Sequence, residues 1–147
     1  MRLALVLVLC AVPASADWTA TGRFLYTDRL IDQEGFTGVD VNLPIRLADV
    51  EVVDANTSAV LASGATNSTG NFSFTVVDAA TRDIIIRAKT TSTQTSDLFI
   101  RVRNLTSMGG LPYAIAHPTI LAHGPTTSVN FASTPIVAGI ALYAGGP

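Results

Sequence analysis

Between Ala48 and Val76 apolar and polar side chains alternate with a period of two, in short bursts broken by polar turns. Ala48, Val50 and Val52 alternate with Asp49 and Glu51; Val60 to Ser63 follows; Asn67 to Gly70 makes a tight turn, and Phe72, Phe74 and Val76 then share one side with Ser73 and Thr75 opposite. Successive side chains of a strand point to opposite faces, so this pattern predicts a sheet with one face on a core and the other in water. On that reading Asp49 and Glu51 lie on the wet face and Asp54 at the strand's end. Gly70 supplies the positive φ that such a turn needs.

The same grammar of short strand-forming runs and turn signals extends over the rest of the chain, and no amphipathic helix of useful length interrupts it. Trp18 to Tyr26 is expected to be the first strand, followed by a long acidic loop, Thr27 to Leu43, which carries Asp28, Asp32, Glu34 and Asp40 and ends at Pro44. Ile84 to Thr90 and Leu98 to Asn104 are expected to form a hairpin through Thr91 to Asp97. With Ile84, Ile86, Ala88, Leu98, Ile100 and Val102 inward, Arg87, Lys89, Arg101 and Arg103 share an outward basic ridge. Tyr113 to Ala116 and Ser128 to Ser133 supply later strands. The fold expected is all-β: an Ig-like or prealbumin-like antiparallel β-sandwich of about seven or eight strands.

At the N-terminus, Arg2, the apolar run Leu3 to Val12, Pro13 and Ala14-Ser15-Ala16 follow the order of a secretory signal peptide. Residues 1–16 are therefore expected to be removed, so that the secreted chain (extracellular, periplasmic or at the cell surface) begins at Asp17. Cys10 leaves with them, and it is the chain's single cysteine. The remainder must hold by burial and strand pairing, without disulfides or thiolate metal sites. Residues 17–134 are expected to form one sandwich domain. Residues 135–147 hold an apolar stretch, Ile136 to Tyr143, then Gly145-Gly146-Pro147, which suits either a last strand with a short tail or a linker in a chain that continues.

The run Ala48-Asp49-Val50-Glu51-Val52-Val53-Asp54, then Val60-Leu61-Ala62-Ser63-Gly64, then Thr66-Asn67-Ser68-Thr69-Gly70-Asn71-Phe72, resembles the carboxypeptidase regulatory-like domain family. In that family the last piece reads T-D-x-x-G-x-F, and here Asn67 stands where the acidic residue would. The resemblance implies a prealbumin-like (transthyretin-like) sandwich acting as an accessory domain of a large secreted bacterial protein, in some cases beside a zinc-peptidase region. The H-E-x-x-H motif that such a peptidase would need is absent from this chain.

Few residues offer chemistry. His117 and His123 are six apart in a Pro-containing loop, and zinc requires further ligands beside them. The acidic loop 28–40 holds oxygen donors of the kind Ca²⁺ takes, without the order of an EF-hand. No Gly-x-Ser-x-Gly elbow is present, and the 5-hydroxyisourate hydrolases that share the transthyretin-like fold end in Tyr-Arg-Gly-Ser, which this chain lacks. No catalytic, cofactor-binding or metal-ligating residue is assigned, and no enzyme is expected. A net charge of −2 and a lone lysine, Lys89, argue against nucleic acid, and no membrane partner is expected once the signal is removed. The expected role is that of a non-catalytic accessory or structural domain partnered by neighbouring domains or other extracellular proteins. The alternative is a carbohydrate-binding module for extracellular or cell-wall glycans, with Trp18, Tyr26, Phe36, Tyr113 and Tyr143 as the aromatic platform.

Overall fold

The computed structural model describes residues 16–95, 98–101 and 112–139. It is all-β, a sandwich of two sheets with a small hairpin beside them. The first sheet is organised on one long strand, β1 (Asp17–Asp32), whose N-terminal half alternates as expected, with Trp18, Ala20 and Phe24 buried and Thr19, Thr21 and Arg23 outward. β2 (Gly35–Pro44) and β5 (Asn71–Val77) both run antiparallel to β1.

β1 changes partner at Phe24. From Asp17 to Arg23 it pairs with β5, and from Leu25 to Asp32 with β2. At the junction the Phe24 amide donates to the Gly70 carbonyl and the Phe24 carbonyl accepts from the Ile45 amide, both at 3.0 Å. Gly70 stands at φ 80°, and a Cβ there would lie 2.6 Å from the Phe24 carbonyl oxygen, so both its torsion and its space require glycine. On the opposite edge β11 (Val129–Asn130) and β12 (Ile136–Ala138) pair parallel with successive parts of the same strand, Ala20 facing Val129 and Phe24 facing Ile136. Ile136–Ala138, read from the sequence as either a last strand or part of a linker, pairs with β1.

The second sheet consists of β3 (Asp49–Asp54), β4 (Val60–Ala65), β6 (Arg82–Lys89), β9 (Ala114–Ala116) and β10 (Ile120–His123). β6 is central, with β3 and then β4 on one side and both β9 and β10 on the other. Among the described residues β7 (Thr91–Thr95) and β8 (Leu98–Arg101) pair only with each other. Twelve strands are therefore described where seven or eight were expected, because short segments share the edges of β1 and β6 in succession.

Between the sheets lie Trp18, Ala20, Phe24, Phe72 and Val76 from the first, Val50, Val52, Ile84, Ile86 and Ala88 from the second, and Phe131. Each large apolar side chain removed from water contributes about 1.5–3 kcal/mol. Phe131 stands edge-on to Phe24 and Phe72 with ring centroids 5.5 Å apart in both pairs, an arrangement that adds to plain burial.

Three expectations need correction. Thr27 to Leu43 is not a loop. The ladder continues through Asp28 and Val41, Arg29 and Asp40, and Ile31 and Phe36 to Asp32 and Gly35, so the segment is a hairpin arm with a bulge near Leu30 and positive φ at Gly35 and Gly38. Ile84 to Lys89 and Leu98 to Arg101 do not pair: β6 lies against β3, while β8 finds β7. Asn104, like Arg103, lies outside the described residues. Lastly, every residue of β3 is buried, Asp49 and Glu51 included, because the polar face of this strand is covered by side chains from β6 and β7.

Candidate functional site

The carboxylates of β3 are fastened rather than free. Glu51 faces Arg87 across the ladder and also meets Lys89, two residues along β6. Burial pushes the Glu51 carboxyl up, but hydrogen bonds from Lys89 and Arg87, together with their charges, outweigh it and hold the group below its ordinary value. Asp49 accepts from the Thr91 hydroxyl at 2.6 Å and from the Thr93 amide and hydroxyl at 3.0 and 2.9 Å, which ties β7 to β3. Asp54 caps the turn into β4. Backbone hydrogen bonds from Thr57 and Asn56, with Arg82 at 3.0 Å, lower its carboxyl to about 2.

The expected basic ridge is therefore half spent, since Arg87 and Lys89 lie over Glu51. Arg101 is described only as part of β8, and Arg103 lies outside the described residues.

The histidines are not brought together as a ligand set. The His123 ring packs on Trp18 with centroids 4.3 Å apart and its Nε2 bonds the Thr127 carbonyl at 2.7 Å. His117 packs on Phe131, and its Nδ1 lies 2.7 Å from the Pro118 carbonyl. Asp28, Asp32, Glu34 and Asp40 are strung along the arm. Asp28 and Asp32 accept from nearby backbone amides, and Asp40 pairs with Arg29 at 3.8 Å. Among the described residues no three His, Cys, Asp or Glu side chains cluster as metal ligands would.

An open cleft of about 900 Å³ lies where the root of the arm meets the β6–β7 connection and β9. Tyr26 and Leu43, paired across the ladder, line it together with Arg46, Leu47, Tyr113 and Ile115. Leu47 is held at φ 53°, the left-handed region, by its amide's bond to the Thr66 carbonyl, and this turns the Ile45 to Ala48 segment along the cleft. Tyr26 is 39% exposed, Tyr113 50% and Leu47 52%. Arg46 is exposed and makes no ion pair among the described residues. The described lining contains no carboxylate, imidazole or thiol. The arrangement can hold a flat or apolar group against tyrosine rings beside Arg46.

Of the five aromatic residues proposed as a platform, Trp18 is buried in the core, Phe36 is exposed at the end of the arm, and Tyr143 lies outside the described residues. Tyr26 and Tyr113, 87 positions apart in sequence, meet at one cleft. No sequence motif joins them; only the pairing of β9 to β6 and of β2 to β1 does.

No family model matches the chain, and no curated protein matches it. Among solved structures it is similar to a 9R-lipoxygenase from Cyanothece PCC8801, at 17% identity and a TM-score of 0.43, over 98% of this chain and 19% of that one. The chain thus spans about a fifth of that enzyme's length, and a likeness at this level supports no conclusion about activity.

Proposed function

We propose that this chain is a non-catalytic accessory domain of a secreted protein, a stable sandwich that acts by docking to neighbouring domains or other extracellular proteins. The observation that carries this reading is the use made of its titratable side chains. Glu51, Asp49, Asp54 and His123 each hold one strand or turn to another, while the described lining of the open cleft contains no carboxylate, imidazole or thiol and its Lys89 is engaged with Glu51. The signal-like N-terminus and the resemblance of residues 48–72 to carboxypeptidase regulatory-like domains agree with it; the Asn67 side chain caps its turn by accepting from the Thr69 and Asn71 amides, the service the family's Asp would give. Expression in a host with an export pathway tests the reading: recovery outside the cytoplasm with Asp17 as the first residue supports it, and retention in the cytoplasm with residues 1–16 intact overturns it.

A second reading, the glycan-binding module, is favoured by one observation, the presence of Tyr26 and Tyr113 with Arg46 in the lining of one cleft. Stacking of sugar faces on such rings would be lost in Tyr113→Ala. Retardation of the chain in gels containing soluble polysaccharide, abolished by that change, is the outcome this reading requires.

A further inference from the structure

The arm formed by the end of β1 and the start of β2 stands away from the sandwich. Ile31 and Phe36 face each other across its ladder, so their side chains share a face, and they are 69% and 70% exposed; Leu30 and Val39 beside them are 43% and 51% exposed. A two-stranded ribbon by itself is marginally stable in water, and a contiguous apolar surface rimmed by charge marks a site of association. The rim here is acidic. Asp28, Asp32 and Glu34 remain after Arg29 has paired with Asp40.

The cleft has the complementary character: apolar walls from Ile45, Leu47 and Ile115, and an exposed Arg46 that makes no ion pair among the described residues. The arm cannot fold back into the cleft of its own chain. From Tyr26, on the rim, to Ile31 at the apolar pair is five residues of extended strand, about 17 Å at about 3.4 Å per residue, and the ladder is continuous apart from the bulge. A second copy can fill it. Because the arm is rooted at the cleft's rim, two copies facing each other across a two-fold axis bring each arm to the other's cleft, and the contact closes on itself as dimer interfaces commonly do.

We propose that the chain forms a two-fold dimer by reciprocal exchange of arms, with Ile31 and Phe36 of one copy seated in the Tyr26 to Tyr113 cleft of the other and Asp32 and Glu34 beside its Arg46. This goes beyond the accessory role above and does not depend on secretion.

Sedimentation velocity of the full chain tests it. The wild-type chain is expected to sediment as a dimer whose affinity falls with salt. Ile31→Ser with Phe36→Ser, both at exposed positions, is expected to give a monomer, and Arg46→Glu to weaken association about tenfold or more, with the circular dichroism of each variant unchanged. A monomeric wild-type chain overturns the proposal, as does dimerisation that survives loss of the arm residues. So does polysaccharide binding at Tyr113 that is indifferent to the arm in a chain that stays monomeric.

Discussion

Glu51 and Arg87 stand directly opposite each other on β3 and β6, and the guanidinium donates to one carboxylate oxygen from both Nε and Nη2, at 3.0 and 2.8 Å. With Lys89 on the second oxygen, a single carboxylate holds two cations over the middle of the sheet. Removing one partner of a part-buried pair leaves the others desolvated and uncompensated. Glu51→Ala is therefore expected to destabilise the fold by about 2 kcal/mol, with a larger loss than Arg87→Ala because two cations lose their partner. Urea unfolding followed by Trp18 emission measures it.

Acid should weaken the fold in a definite window. The Asp54 carboxyl is held at about 2 against an ordinary 3.8, so its contribution is fully present above about pH 4 and disappears as pH falls through about 2. Glu51, also held below its ordinary value, changes stability in the same sense. Urea midpoints measured from pH 7 downward should fall toward pH 2 in the wild-type chain. They should fall less in Asp54→Asn, which starts lower at neutral pH because Arg82 has lost a charged partner.

Gly22 lies against a ring. A Cβ at this position would stand 2.4 Å from Phe131, whose ring is fixed by Phe24, Phe72 and His117. Gly22→Ala is expected to cost about 1–3 kcal/mol as an overpacked core. Phe131→Leu alone should also destabilise, while the double variant should lose less than the two single changes combined, a coupling that a double-mutant cycle reads directly.

Asp49 is the fastening of β7. With Asp49→Ala the Thr93 amide loses its acceptor and the Thr91 hydroxyl its short bond, so the β7–β8 hairpin should part from β3 while the two main sheets persist. Hydrogen exchange should accelerate at the Thr93 amide and remain slow at Val50 and Val52, which separates local release from global loss.

Much of the architecture was legible because the period-two pattern reports directly which side chains share a face. Val50, Val52, Ile84, Ile86 and Phe72 are buried as the alternation requires. What the pattern does not contain is the cover over the other face. Asp49 and Glu51 read as wet because nothing within β3 reveals that Arg87, Lys89 and Thr93, some 36 to 44 positions later, lie over them. The arm was hidden for a different reason. Asp and Gly have low strand propensity, so Thr27 to Leu43 reads as loop, yet its ladder is set by backbone pairing to a strand whose earlier half is firmly anchored. The cleft draws on five separate segments, at Tyr26, Arg46, Lys89, Tyr113 and Ala138, and such a site leaves no local signature.

The parallel pairing of β1 with β11 and β12 sets the order in which this protein can be made. Ala20 waits for Val129, and Phe24 for Ile136, so the opening strand stays half-clothed until more than a hundred further residues have been synthesised. Closure over such long separations is slow in entropic terms. A nascent chain of this kind stays open late, and completes its first sheet only once Ile136–Ala138 has emerged.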